Sequence, residues 1–261
     1  GKGLDMADIR RPIIEMFTEY SDVMEVFPFE GLTGAVYLGH REASIPTVAF
    51  RGINEASTSG HGVISPFQEA TYVIDHDIDV DRAIVDRHGP ERRTYEQKMG
   101  ITAFARLFVD TLIKGDQSVN PRVPNGLQVR ANKFSRNDHN TASSGGAALS
   151  LAKLDISLNK MRSCTHILAP YASRPLWIQA ARTTTLSGFV MQTWDQVGEP
   201  KISYGGMPLL FGYPKDDHPY MLDFNEVASG GGGAVTASLY VVSLGEYRLR
   251  GLQLRPMEVR D

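Results

Sequence analysis

Arg51-Gly52-Ile53-Asn54-Glu55-Ala56-Ser57-Thr58-Ser59-Gly60-His61-Gly62 is the stretch on which the reading of this chain turns. It holds a single large aliphatic residue, Ile53, among small and turn-forming residues, so it reads as the tip of a hairpin. The chain before it, 35–50, reads as an outgoing β-arm, with Pro46 confining it to a sheet edge. The chain after it, 63–86, reads as the returning arm. There Tyr72, Ile74, His76, Ile78 and Val80 alternate with Asp75, Asp77, Asp79 and Asp81, the period of a strand with one apolar and one acidic face. Arms of about 20 residues, fully extended, reach roughly 65 Å at ~3.3 Å per residue. A two-stranded ribbon has no core of its own and is marginal in water. Such an arm needs a surface to lie on, and another copy of the chain is the simplest supplier.

The element after the ribbon is a long helix over 90–114. Pro90 suits the first helical position and Glu91 the positive end of the helix. Ile101, Phe104, Phe108 and Leu112 form an apolar stripe. Lys114 and Gly115 mark the end, with Gly115 as the residue just past it. Gly100 interrupts the pattern at a cost of about 1 kcal/mol against alanine. It reads either as a poor position tolerated by packing or as a bend. Ahead of the ribbon, 8–20 reads as a short helix capped by Asp8, and 26–32 as a turn with a short extended piece. Beyond the long helix, 116–126 and 135–146 read as polar loops. Residues 149–161 read as a helix, 165–170 as a strand, and Ser173 with Pro175 as the start of a further short helix. Strands are expected over 189–211, broken at Gly198-Glu199-Pro200 and Gly205-Gly206, and over 236–244, 248–254 and 257–259, with a glycine loop at 229–233. The class is α+β, with a mixed centre and a projecting hairpin.

The bulk composition narrows the function. Of 261 residues 42% are apolar, enough for a sizeable core, and the net charge is −3. That balance does not favour tight sequence-independent nucleic-acid binding, although it permits a wall that encloses nucleic acid. The single cysteine, Cys164, allows no internal disulfide and fits a reducing cytoplasm. No apolar run approaches the ~18 residues of a membrane span, and no export signal is visible at the start.

No catalytic spacing emerges. Gly230-Gly231-Gly232-Gly233 lacks the Lys-Ser/Thr ending of a phosphate loop. No G-x-S-x-G elbow occurs, and Cys164 has no nucleophile context. Asp75, Asp77, Asp79 and Asp81 are candidate ligands for a hard cation, but a strand spaces them some 6–7 Å apart, so no more than two close on one ion. A solvated face, or one that meets arginines of a neighbouring chain, accounts for them better. The histidines are scattered, and His40 and His139 have no partners at zinc spacing. Neither a catalytic residue nor a cofactor is assigned. Arg51, Arg92, Arg93 and Arg136 are candidates for ion pairs between chains, with plain surface solvation as the alternative. Ile53, Glu55 and His61 join them as candidate contacts on the tip.

The order of these elements, with several local phrases, resembles the major capsid proteins of tailed bacteriophages, the Hong Kong 97-type shell fold, over nearly the whole chain. Pro124-Asn125-Gly126-Leu127 follows the long helix as in that family. Leu149 to Met161 followed by Thr165-His166-Ile167-Leu168 is similar to its axial helix and strand. Tyr204-Gly205-Gly206-Met207-Pro208-Leu209 and Ala237-Ser238-Leu239-Tyr240-Val241-Val242 are similar to its later strands. The resemblance implies an N-terminal arm over 1–31, an extended hairpin (the E-loop) over 32–86, and a peripheral domain with a spine helix over 87–140. It further implies an axial domain over 141–234 and return strands over 235–261. It implies hexamers and pentamers of this chain enclosing double-stranded DNA, with portal, scaffold or protease, and decoration proteins as further partners. The place implied is the virion, after synthesis in the host cytoplasm, with no membrane involved. A precursor trimmed by a protease is also implied, and Gly1 fits a trimmed end as well as it fits a cleaved tag. Some members weld subunits through a hairpin lysine. No lysine lies between Lys2 and Lys98, so strengthening without a covalent bond is expected here. An encapsulin-like compartment, or an enzyme or binding module dimerised through a β-arm, are the alternative readings.

Overall fold

In this computed structural model residues 21–78, 81, 83, 86, 87, 89, 91–182, 190–194, 200–212 and 221–255 are described. The helix expected at 8–20, Asp79, Val80, Pro90, the break at Gly198-Glu199 and the strand expected at 257–259 lie outside them.

The described chain opens with a helix that the sequence did not announce, α1 (Asp22–Val26), whose N-cap Ser21 accepts from Val23 N through Oγ at 3.3 Å. Strand β1 (Phe29–Gly31) follows where a short extended piece was expected, and it pairs in parallel with the last strand, β11 (Gly251–Gln253).

The hairpin is β2 (Val36–Ser44) against β3 (Val63–Ala70), antiparallel from Val36↔Ala70 to Ser44↔Val63. Its ladder is shorter than expected. Residues 45–50 leave it, because Pro46 has no N–H to donate. Pro66 is instead the proline within the ladder, opposite His40, and a two-stranded ribbon tolerates it because both strands are edges. Residues 71–78 form no strand either, which corrects the reading of the Asp75, Asp77, Asp79, Asp81 alternation. Beyond Thr71, which still donates to Ala35 O, no strand among the described residues lies opposite to hold the period. This segment lies along the long helix instead. The paired arms therefore extend roughly 30 Å rather than 65 Å.

That helix, α2 (Glu91–Lys114), runs 24 residues as expected. Its buried line is Ile101, Ala105, Val109 and Ile113, one position round from the expected Phe104, Phe108 and Leu112, which are half-buried. Gly100 has a specific role: a Cβ there would lie 3.1 Å from the His76 ring and 3.6 Å from Ile78. The missing side chain lets 71–78 approach the helix closely. Gly115 is not a left-handed cap, since its φ is not positive; its N–H donates to Thr111 O at 2.9 Å. Its Cβ would meet Pro124 O at 2.3 Å, and one on Gly126 would meet Ile113 O at 2.6 Å. Two glycine backbones cross there, joined by Gly126 N to Gly115 O at 2.7 Å.

Helix α3 (Leu127–Lys133) follows directly. It buries no residue completely, so it carries no stripe for a sequence to reveal. Helix α4 (Leu151–Lys160), strand β4 (His166–Leu168) and helix α5 (Arg174–Arg182) fall where expected. Ser173, expected as a cap for α5, ties the turn beneath it: its Oγ donates to Pro170 O at 2.6 Å and accepts from Trp177 Nε1 at 3.1 Å. Strands β5 (Val190–Trp194), β6 (Pro200–Tyr204) and β7 (Met207–Leu210) follow, then the small pair β8 (Glu226–Val227) and β9 (Ala234–Thr236), and β10 (Tyr240–Val242). Five of these make one mixed sheet in the order β10-β4-β7-β6-β5, with β4 and β7 parallel.

Alternation along the parallel pair divides the core. Ile167 and Leu209 face one layer with Leu154 of α4 and Trp177 of α5, and the ring of Trp177 meets Tyr204 edge-on at 5.7 Å. Leu168 and Leu210 face the other, with Val109 and Ile113 of α2 and Val23 of α1. The Asp22 carboxylate fastens α1 to the sheet, accepting from Phe211 N at 2.7 Å and Gly212 N at 2.8 Å. Burial raises its pKa, against the pull of those amide donors.

Candidate assembly interface

The hairpin is fixed at its root and bare at its end. At the root, Arg130 of α3 donates to both carboxylate oxygens of Glu69 in β3, at 2.6 and 2.8 Å, and its Nε donates to Asn125 O at 2.8 Å. This bidentate fork holds the Glu69 carboxyl below the usual range and raises the guanidinium. Arg250, beside β11, pairs with Glu30 at 2.7 Å and donates to Tyr37 Oη of β2 at 3.2 Å. Thr71 N and Oγ1 both donate to Ala35 O at 3.0 Å. Phe67 lies across Gly39, where a Cβ would sit 2.4 Å from the ring, and it tilts against Tyr37 at 6.2 Å. A glycine opposite an aromatic residue in a strand pair is filled in this way.

Farther out, none of the described residues covers the ribbon. Ile45 is 82% exposed, Val48 90% and Ile53 95%, and Phe50 is fully exposed. On the strands Leu38 and Ile64 are also exposed. The tip nevertheless has a defined turn. Gly52 N donates to Glu55 Oε2 at 2.7 Å, Arg51 Nη1 donates to Glu55 O at 2.9 Å, and Asn54 takes a positive φ of 66°. A shaped turn that displays large apolar side chains to solvent is the mark of an interaction surface.

The residues expected at contacts do not converge. Arg51, Ile53, Glu55 and His61 are exposed on the tip. Arg92 pairs with Glu96 one turn along α2 and lies 5.8 Å from the Tyr95 ring, so it already has a partner in its own helix. Arg93 is exposed on α2. Arg136 stacks on Phe134 at 5.7 Å, beyond α3. Of the acidic candidates, Asp75, Asp77 and Asp81 are exposed, and two of them accept from local backbone: Asp75 from His76 N at 3.0 Å and Asp81 from Ala83 N at 2.9 Å. Among the described residues no group of three or more His, Cys, Asp or Glu is placed to hold a metal ion. Cys164 is half-buried, with Sγ toward His166 O and Val242 O, and burial pushes its thiol pKa up. A nucleophilic cysteine needs the opposite shift.

Sequence reasoning missed Glu69, Arg130, Arg41 and Phe134. Glu69 and Arg130 lie 61 positions apart, and α3 has no period of its own, so no local signal joins them. Among the described residues no helix is long and apolar enough to cross a membrane.

The described residues thus form a mixed sheet backed by one long helix, with a hairpin projecting from it. The major capsid protein GP7 family matches residues 5–153, more than half of the chain, and the chain belongs to that family. No curated protein matches it by sequence. A solved structure from Mycobacterium phage Bobi is similar at a TM-score of 0.54 and 14% identity, over 76% of this chain and 65% of that one. One from Mycobacterium phage Cain is similar at 0.51 and 15%, over 74% and 63%. The holo-SrpI encapsulin complex from Synechococcus elongatus PCC 7942 is similar at 0.58 and 16%, over 92% and 72%. These likenesses establish the Hong Kong 97-type fold, mixed helix and sheet. The chain spans just under two thirds of each phage protein's length.

Proposed function

We propose that the chain is a structural subunit of an icosahedral viral capsid, assembling with itself into hexamers and pentamers that enclose double-stranded DNA in the virion. The observation that carries this reading is the hairpin: pinned at its root by the Arg130–Glu69 fork, it holds Phe50 and Ile53 out to solvent, with no surface among the described residues beneath them. In this reading β2, β3 and the tip are the E-loop and α2 is the spine helix. Residues 1–31 are the N-terminal arm, 32–86 the hairpin unit, 87–140 the peripheral domain, 141–234 the axial domain, and 235–261 the return. Within the return, β10 joins the central sheet while β11 pairs with β1, so this segment ties the two parts together. The paired strands and tip contain no lysine, and their side chains engage neighbours without a covalent weld.

The solution mass tests the reading. Megadalton particles containing nucleic acid are the expected result, and a stable monomer or dimer that never closes into particles refutes it. Deleting residues 53–60 should leave a folded subunit that no longer assembles, and normal particles from that deletion would count decisively against the reading. The broader coverage of both chains in the encapsulin likeness favours one second reading, a compartment for a protein cargo. Particles that carry a co-purified enzyme and no nucleic acid would select it.

A further inference from the structure

We infer that a cationic patch around Phe134 is the docking point for the aspartates of segment 75–77 on a second copy of this chain. The inference rests on the self-assembly reading above and names which surfaces meet. The patch is built from two elements. Arg41 of β2 places its guanidinium 4.5 Å from the centre of the Phe134 ring and 5.3 Å from that of Phe67. Arg136, just beyond α3, lies 5.7 Å from the same Phe134 ring. Lys133 adds a third cation beside them. All three cations and Phe134 are exposed. Among the described residues none of the three forms an ion pair. The carboxylate that feels Arg41 and Lys133 is Glu69, and both of its oxygens are taken by Arg130. The patch is therefore left with a positive surplus, held in place by stacking on an aromatic ring. Arg92 and Arg250, by contrast, are paired within the chain, with Glu96 and Glu30.

The complement lies on the segment that follows β3. Asp75 and Asp77 sit on the segment that Gly100 admits against α2. His76 and Ile78 meet the helix, while both carboxylates are exposed and form no ion pair among the described residues. Two residues two positions apart in the chain lie at most roughly 7 Å apart, a spacing that suits two guanidiniums sharing one ring. A phosphate backbone would also suit the cations, but it would leave the aspartates repelling one another with nothing to offset them. A second copy answers both surpluses in a single contact. Because patch and segment are different surfaces, the contact is heterologous, the kind that closes into rings rather than two-fold dimers.

A mixing experiment tests this. One variant carries Arg41→Glu and Arg136→Glu; the other carries Asp75→Lys and Asp77→Lys. Thermal unfolding checks that each is folded. If the Arg41 and Arg136 reversals loosen the hairpin, Arg41→Gln with Arg136→Gln replaces them, and weakened association of that variant is the expected result. Each reversed variant alone should associate at least ~10-fold more weakly than the parent, and an equimolar mixture should recover to within about threefold, because opposite charges then meet at every contact of an alternating, even-numbered ring such as a hexamer. Parent association should also weaken as salt rises. Single reversals that assemble like the parent, or a mixture that stays inert, overturn the inference even where the parent builds particles. Reversed Arg41 and Arg136 that leave assembly intact but lose enclosed nucleic acid overturn it in favour of a DNA contact. A parent that builds no particles, beside a mixture that does associate, refutes the capsid reading and leaves this pairing standing.

Discussion

Replacing Glu69 with glutamine should free the hairpin at its root. The two hydrogen bonds from Arg130, at 2.6 and 2.8 Å, are charge-assisted, and fully buried bonds of that kind contribute about 1.5–3 kcal/mol each. Both side chains are more than a third exposed, so solvent screening reduces this severely. Glutamine keeps one acceptor, and Arg130 keeps its bond to Asn125 O. The loss should come to about 1–2 kcal/mol, larger than an ordinary surface pair because the fork is bidentate. Expressed locally, that is roughly a 5- to 30-fold rise in opening of the ribbon, since 1.4 kcal/mol is tenfold in an equilibrium. Hydrogen exchange across β2 and β3 is the appropriate assay, with amides of the central sheet as the internal control. The global melting temperature should fall by only about 2–8 °C.

The same pair sets an acid limit. The Arg130 fork depresses the folded-state pKa of Glu69, so its contribution is complete above the unfolded glutamate value of about 4.3 and is lost as pH falls through the depressed folded value. The gap in hairpin protection between parent and Glu69→Gln should therefore close on acidification. Unchanged exchange in β2 and β3 at neutral pH, or a gap that widens in acid, would refute the assignment of this pair as the root of the hairpin.

Ile113→Ala, at a fully buried site, should lose about 2–5 kcal/mol in chemical denaturation, and Phe104→Ala, half-buried, should lose less; the reverse order would move the core face of α2 back to the stripe expected from sequence. Gly126→Ala drives a Cβ to 2.6 Å from Ile113 O, and because backbone cannot swing aside it should cost about 1–3 kcal/mol in thermal unfolding, whereas Gly31→Ala, with open space around it, should stay within about 0.5 kcal/mol. Asp22→Ala strips the acceptor from Phe211 N and Gly212 N and should cost about 2–4 kcal/mol, read as a lower denaturant midpoint at unchanged slope. Phe50→Asp should leave stability within about 0.5 kcal/mol, because the ring touches nothing to lose, while abolishing particle formation in light scattering.

Local chemistry explains what the sequence disclosed. Glu91–Lys114 was legible because 24 residues repeat a helical period with an acidic start and a basic end. The hairpin was legible because its tip holds one aliphatic in a run of turn formers. What stayed hidden depends on partners distant in the chain. The period of two continues through 72–78 in the residues but has no neighbouring strand among the described residues to satisfy, so 76–78 lie against α2 instead. Helix α3 is seven residues long with nothing fully buried, and it exists because the Gly115–Gly126 crossing launches it and Glu69 receives its arginine. Arg41 and Phe134 gave no signal for the same reason: one sits on a strand, the other past a helix that was not foreseen.

The division of labour along the ribbon has an energetic consequence for assembly. Burying a side chain such as Ile53 or Phe50 contributes about 1.5–3 kcal/mol, but association must first meet the cost of ordering whatever was loose beforehand. A ribbon swinging freely from residue 36 would spend much of that gain on its own ordering. Glu69, Thr71 and Tyr37 restrict the swing before any partner arrives, so more of the burial at the tip is left as affinity. The apolar tip supplies strength without direction, because hydrophobic contact is not directional. Direction has to come from groups whose geometry is demanding, and near the root those are the guanidiniums stacked at Phe134 and the carboxylates at 75 and 77. Loosening the root through Glu69→Gln should therefore weaken assembly, whereas reversing Asp75 and Asp77, which lie outside the β2–β3 ladder, should weaken it with hairpin exchange unchanged. The two effects are separable in one pair of measurements, which makes the order of cause from root to tip open to direct experiment.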